Sequence, residues 1–298
     1  MNAHAAVKLA GTQHPLSLQG SGRISNLDGV RIHPGTKTLR LLLPYLFAFV
    51  ASVITNGRAL SQDPQAVLAP TGTLRVGVYN GSPTSQVRSR SGEVHGLAVE
   101  LGQELGRSLK VPVEIIEYPR VAEVVDAIAA GRVDMTVTNA SPARAEKVAF
   151  TESLLTLELG VLTPSGSNVS SFLDLDAPAR RVGVTQGSTS EKTLRGLLSK
   201  ASIVPAPSMD RAAEMLKEGS LDAYATNKSI LFELSDALPG SRVLADRWGL
   251  EHLAMAYPKG REAAGSFLAS FIARIKETNF IAGAAERAGL RGQARTER

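Results

Sequence analysis

Apolar residues recur along residues 71–290 with two alternating periods. "TLRVGVY" (73–79) is a β-rich run with partial alternation. In "HGLAVELGQELGRSLK" (95–110), Leu97, Leu101, Leu105 and Leu109 return every four residues and Ala98 broadens the stripe, which predicts an amphipathic helix. "VPVEIIEY" (111–118) reads as a strand. "VAEVVDAIAAG" (121–131) sets Val121, Val124, Val125 and Ile128 on one helical face, with Gly131 as its stop. "VDMTVTN" (133–139) is a third strand. Strand, helix, strand, helix, strand predicts a parallel α/β sheet, and such sheets bind ligands beyond the ends of their strands.

"LELGVLTPSGS" (157–167) is a strand followed by a Pro/Gly/Ser break, after which the pattern restarts. "RRVGVTQGSTSEKTLRGLLSK" (180–200) reads as strand, glycine turn and helix. "SIVPAP" (202–207) is a short strand, "DRAAEMLKEG" (210–219) a helix stopped by Gly219, "LDAYATN" (221–227) a strand and "KSILFELSDALPG" (228–240) a helix. "RVLAD" (242–246) and "LEHLAMAYPKG" (250–260) follow, and Phe267, Phe271, Ile272 and Ile275 share one face of a last helix. One plan therefore occurs twice. "LKVPVEIIEYPRVAEVVDAIAAGRVDMTVTN" and "SKASIVPAPSMDRAAEMLKEGSLDAYATN" each run strand, helix, Gly, x, x-Asp, strand, and each ends in Thr-Asn. Two similar lobes with a cleft between them are expected, and such a protein can close on a small molecule by hinge motion.

Within "VDMTVTNASPARAEKVAF" (133–150) a strand ends in polar residues and Arg144 follows just past Pro142. A guanidinium is a planar fork of donors that suits a carboxylate. Two readings are open at this point: a surface turn with an ordinary arginine, or half of a binding site.

Charge changes the picture less than the net value of +5 implies. Residues 1–61 hold six of the 33 basic residues and one of the 28 acids, so the remaining chain carries 27 of each and is neutral. That argues nothing for nucleic acid. Cysteine is absent, which excludes disulfides, thiolate metal sites, a cysteine nucleophile and a lipoprotein anchor. "LRLLLPYLFAFVASVITNGRALSQ" (39–62) reads as a secretory signal within a leader spanning 1–61. Its apolar core is Leu41–Ile54, and cleavage is expected between Ser61 and Gln62 after the small-x-small "ALS". The polar stretch 1–29 makes an overlong n-region, and initiation at Val30 would give a compact one.

At this point the ordered series of motifs resembles the bacterial extracellular solute-binding protein family 3, the periplasmic receptors of polar amino acid ABC importers. "LRVGVY", "GEVHGLAVELGQELGRSLKVPVEII", "AIAAGRVDMTVTNASPARAEKVAFTES", "FLDLDAPARRVGVTQGSTSE" and "EMLKEGSLDAYATN" come in that family's order and spacing, over nearly all of residues 71–290. The resemblance implies a periplasmic-binding-protein-like type II α/β fold, with two α/β lobes joined by two crossing strands and a ligand cleft between them. Lobe 1 would comprise residues 62–159 plus 255–298, lobe 2 residues 163–252, with "LELGVLT" and "EHLAMAYP" as the crossings. It implies a periplasmic, monomeric receptor that binds a small carboxylate-bearing solute, an amino acid or derivative, and works with a membrane permease. No cofactor, metal or nucleic acid is expected.

By the same resemblance Arg144 stands at the family's carboxylate anchor, Asn139 and Ser141 at the polar positions before it, and Gly187, Ser188 and Thr189 at the ligand-contacting turn of lobe 2. Ser188 and Thr189 also suit plain helix capping. Tyr79, Tyr118 and Tyr224 are nearby aromatics that can equally be core, with Tyr79 the one expected at the ligand. Two departures stand out. The aspartate that pairs with an α-ammonium is replaced by Asn227, and the aromatic clamp positions read Gly81, Thr84 and Val121. An amide makes a neutral hydrogen bond where a carboxylate makes a charge-assisted one of about twice the strength. The implied ligand is then a carboxylate without a primary ammonium, or a larger modified amino acid, with Asn227 reading its far end.

Other chemistry has less support. His95 and His252 lack metal-ligand spacing, no glycine pattern for nucleotides follows the first strand, and "QGSTS" is not a nucleophile elbow. The enzyme alternative is a cyclohexadienyl-dehydratase-like protein, with Glu117, Glu152 or Glu251 as general acid by residue type alone. A non-transport, protein-binding partner of a periplasmic system is the third class.

Overall fold

The computed structural model describes residues 63–88 and 92–294, so the leader, its apolar core 41–54 and its cleavage point lie outside the described residues. Asp63 caps helix α1 (Pro64–Leu68) by accepting the Gln65 N–H at 3.0 Å. Strand β1 (Leu74–Tyr79), a short ribbon of β2 (Val87–Arg88) and β3 (Val94–His95), helix α2 (Leu97–Leu109), strand β4 (Val113–Tyr118), helix α3 (Val121–Ala129), strand β5 (Thr136–Asn139) and the single turn α4 (Pro142–Ala145) follow. β1 and β4 run parallel, from Leu74 beside Val113 to Tyr79 beside Tyr118. The leucine stripe of α2 is buried on them, with Leu97, Leu101 and Leu105 at most 1% exposed. Each such side chain contributes about 1.5–3 kcal/mol by leaving water.

A second set begins with β6 (Ala149–Thr163) and continues through β7 (Arg181–Thr185), α5 (Thr189–Leu197), β8 (Ser202–Ala206), α6 (Met209–Lys217), β9 (Ala223–Asn227), α7 (Lys228–Asp236), β10 (Arg242–Val243) and β11 (Gly249–Tyr257). The chain then returns to the first set with α8 (Gly265–Glu277) and α9 (Phe280–Arg287), where Phe271, Ile272 and Ile275 join the core around α2 and Phe267 packs against it. One sheet in the order β5-β11-β6-β9-β7-β8 runs through both halves. β6 and β11 are antiparallel neighbours and belong to both halves. The architecture is two α/β lobes joined by two crossing strands. Lobe 2 packs Leu216, Tyr224 and Leu231 on one face of its strands and Val182, Val184 and Leu194 on the other.

β6 starts eight residues before the strand expected from residue 157. Glu152 and Ser153 are exposed inside it, and its register with β11 shifts on both sides of Ala254. Such irregularity erases the two-residue alternation that marks a strand in sequence.

The repeated Gly-x-x-Asp has a shared structural meaning. In lobe 1, Asp134 accepts the backbone N–H and the Nε and Nη2 of Arg75 at 2.9, 2.9 and 2.8 Å, while Arg75 Nη2 also donates to the Gly131 carbonyl at 2.8 Å. In lobe 2, Asp222 accepts the same three donors of Arg181 at 2.7, 3.2 and 2.9 Å, and Arg181 Nη2 donates to the Gly219 carbonyl at 2.7 Å. Both glycines have positive φ, 66° and 69°, which lets the helix end and the chain turn into the next strand. The clasp ties the start of each lobe's first strand to the start of its third.

Candidate functional site

The ends of β1, β5, β7 and β9 converge with β11 on a cavity of about 30 Å³, lined among others by Tyr79, Thr138, Arg144, Thr185, Asn227 and Glu251. This is the edge at which an open α/β sheet presents ligand groups. Arg144 reaches it because Pro142 starts the one-turn helix α4 directly after Ser141, the N-cap. Its side chain folds back against β5, where Nη1 donates to Thr138 Oγ1 at 2.6 Å and to the Asn139 carbonyl at 3.4 Å. Arg144 is only 9% exposed. Its Nε and Nη2 have no acceptor among the described residues. A buried guanidinium with spare donors is costly unless a negative group completes it. Burial lowers its pKa, opposed by the negative charge of Glu251.

Glu251 is the opposite charge. It lies on β11 with 8% exposure, and Asn227 Nδ2 donates to its Oε2 at 2.9 Å. Its Oε1 has no donor among the described residues. Burial raises its pKa, while Arg144 and the Asn227 hydrogen bond pull it back down. Arg144 and Glu251 face the same cavity without a direct ion pair between them.

Asn227 ends β9 and caps α7, its Oδ1 accepting the Ile230 N–H at 3.1 Å. Its side chain is thus spent on protein groups at both ends. Ser188 likewise caps α5, accepting the Glu191 N–H at 3.1 Å, and the Gly187 N–H donates to the Glu191 carboxylate at 2.7 Å. The first-turn N–H groups of Thr189 and Ser190 have no acceptor among the described residues and face an incoming anion as helix starts do. Asn139 bridges the lobes: Nδ2 donates to Thr189 Oγ1 at 3.3 Å, and Oδ1 accepts the His252 N–H at 3.2 Å. Arg120 Nη1 donates across the cleft to Gln186 Oε1 at 2.5 Å. Gly187, at φ 73°, lies so close to lobe 1 that a Cβ there would stand 2.7 Å from that of Ala122.

The structure therefore gathers Tyr79, Asn139, Arg144, Ser188, Thr189 and Asn227 on one small cavity. Ser141 and Gly187 instead line a larger, more open cavity of about 420 Å³, which shares Arg144, Ser188 and Thr189 with the inner one. The Ser141 hydroxyl is buried there without a partner. Tyr79 is buried, and its hydroxyl donates to Ser82 Oγ at 3.4 Å. Tyr224 is lobe 2 core, paired with Thr185 Oγ1 at 2.8 Å. Thr84 and Val121 line the inner cavity, whereas Gly81 and Tyr118 line a separate one beside Met209. Of the three acids considered, Glu117 bonds Asn80 and Gln86 in the separate cavity beside Met209 and Glu152 pairs with Lys276 at 3.1 Å, so only Glu251 lines the inner cavity.

Sequence reasoning named Glu251 by residue type alone, as a general-acid candidate, and did not place Thr138, Thr185 or Thr226, which also line the inner cavity. A signal for Glu251 existed: it shares strand parity with Leu253, Met255 and Tyr257, all buried. An acid on an inward-facing position marks a paired or functional group.

Comparison with known proteins agrees with this geometry. The ABC transporter glutamine-binding protein of Bacillus subtilis (strain 168) is 22% identical over 252 residues, 80% of this chain and 90% of that protein. An ancestral amino acid-binding protein, a precursor of cyclohexadienyl dehydratase, superimposes with a TM-score of 0.65 at 24% identity, covering 74% of this chain and 96% of its own. The solute receptor for L-cysteine of Neisseria gonorrhoeae gives a TM-score of 0.67 at 23% identity, over 75% of this chain and 92% of its own. The lobes and their crossing strands are thus those of the type II periplasmic binding fold. The model of the bacterial extracellular solute-binding proteins, family 3, matches residues 74–287, and the chain belongs to that family.

Proposed function

We propose that this protein is the periplasmic receptor of an ABC importer, binding a small carboxylate-bearing solute between its lobes and presenting it to a membrane permease. The observation that carries the reading is Arg144: a buried guanidinium with two unspent donor groups, aimed into the cavity between the lobes. A ligand carboxylate would take those donors and the N–H groups at the start of α5. The cavity of about 30 Å³ holds little more than a water or two, so entry of a solute requires the lobes to part and then close on it. The protein acts as a monomer and performs no chemistry itself in this reading.

The test is a thermal-shift and calorimetric screen of the purified protein against amino acids, N-modified amino acids and simple organic acids. Binding to the folded state raises the melting temperature by linkage. A carboxylate-dependent shift that disappears in Arg144→Ala supports the reading, and an equal shift in that variant refutes it. Glu251 favours a second reading, because a buried carboxyl with a raised pKa beside a carboxylate clamp suits a general acid. Turnover of prephenate or arogenate, lost in Glu251→Gln, would establish the enzyme, and its absence leaves the receptor.

A further inference from the structure

The inner cavity carries one buried charge of each sign, held apart. Arg144 presents free Nε and Nη2 donors from lobe 1, and Glu251 presents a free Oε1 from the crossing strand β11. If Glu251 were only the counter-ion of Arg144, the two would close into an ion pair, since two buried charges gain most in direct contact. They do not pair, and the cavity is shared by both. Each is instead fixed from behind: Arg144 by Thr138 and the Asn139 carbonyl, Glu251 by the amide of Asn227. That amide is in turn locked by capping α7 through its own oxygen. Asn227 therefore works here as the support that orients a neighbouring carboxylate.

We propose that Glu251 is the cation-recognising and specificity-determining residue of this site, and that the solute is a small zwitterion whose nitrogen cation meets Glu251 while its carboxylate meets Arg144. The negative charge missing at position 227 is supplied from a different element, β11, with β6 lying between it and β9. This replaces the expectation, drawn from Asn227 and the missing aromatic clamp, of a carboxylate without a primary ammonium or a larger modified amino acid. The inference rests on the carboxylate-clamp reading of Arg144 and adds the ligand's second charge. Tyr79, Val121, Ile230 and Leu253 form the apolar part of the wall, which suits a compact side chain.

The experiment uses matched pairs on the purified protein by titration calorimetry. Each proteinogenic α-amino acid is compared with the same acid lacking the amine: glycine with acetate, L-alanine with propionate, L-glutamine with 4-carbamoylbutanoate. The proteins are the wild type, Arg144→Ala, the isosteric Glu251→Gln, and the double variant Asn227→Asp/Glu251→Gln, which returns the charge to the end of β9. The inference expects at least one zwitterion to bind roughly 30-fold or more tighter than its amine-free partner. It also expects Glu251→Gln to erase that preference and the double variant to restore part of it. Unchanged melting temperatures in Glu251→Gln show that the fold persists. Amine-free acids binding as well as amino acids, with both lost in Arg144→Ala, would overturn the role of Glu251 and leave the carboxylate clamp standing. Binding of either class that survives Arg144→Ala would overturn both.

Discussion

Asn227 Nδ2 donates to Glu251 Oε2 at 2.9 Å while Asn227 Oδ1 accepts the N–H of Ile230 at 3.1 Å. An aspartate could make the second of these bonds but not the first. Asn227→Asp alone would set two carboxylates in contact, and such a pair holds one proton between them. The single variant is therefore expected to gain no affinity for ammonium-bearing ligands at neutral pH and to lose thermal stability. Melting curves at two pH values check this, with the loss larger at pH 7 than at pH 4.

Arg144→Ala removes the only buried cation facing the cavity among the described residues. Loss of a charged hydrogen-bonding partner costs about 2–5 kcal/mol of binding energy. Carboxylate affinity should fall at least about 30-fold, with little change in far-ultraviolet circular dichroism.

Ligand affinity should rise with pH across the acidic range. Burial holds the Glu251 pKa above its ordinary value of 4.5. A ligand cation favours the ionised form, so binding releases a proton wherever Glu251 starts protonated. Affinity is then weakest near the ordinary carboxylate value, climbs as pH passes through the raised one, and levels off above it. Burial raises the pKa of Tyr79, so its hydroxyl stays neutral through the acidic range, where a guanidinium stays charged. Calorimetry in buffers of different ionisation enthalpy detects the released proton, and Glu251→Gln should flatten the profile.

Gly187→Ala would place a methyl group 2.7 Å from the Ala122 Cβ and strain a backbone at φ 73°. If closure brings these lobes together, the variant should bind its solute more weakly and give a larger radius of gyration with ligand present. Adding Ala122→Gly relieves the clash but not the backbone strain, so it should recover part of the affinity. Small-angle scattering and titration read both effects.

The two clasps should differ in their contribution to stability. Asp134 has a fully buried side chain and pairs with both Arg75 and Arg261, whereas the Asp222 side chain is 26% exposed and pairs with Arg181. Breaking a buried pair costs about 3–5 kcal/mol, and breaking a more exposed one about 1 kcal/mol or less. Asp134→Asn should accordingly lower the denaturation midpoint far more than Asp222→Asn. The Arg181 hydrogen bonds hold the Asp222 pKa below 3.8, so its contribution is present above that pH and is lost as acid protonates the folded state.

Most of the fold was legible because its helices keep regular apolar stripes and its lobes repeat one plan. The turn around Arg144 left two readings open in sequence and the resemblance singled it out; the fold buries it against the inner cavity. Glu251 was legible only by residue type, as one of three acids, because what singles it out is a contact with Asn227 across 24 residues of sequence. Read alone, Asn227 implies a lost charge, while the folded chain sets the carboxylate of Glu251 against its amide. The start of β6 was hidden for a local reason, two exposed polar residues beside an irregular register.

The clasps Arg75–Asp134 and Arg181–Asp222 sit where each lobe's strands begin, and the residues lining the inner cavity sit where those strands end. Architecture and selectivity are thereby written at opposite edges of the same sheets. Groups at one edge, such as those at positions 227 and 251, can be exchanged without loosening the fastening at the other. A lineage of receptors built this way can change cargo while keeping its skeleton.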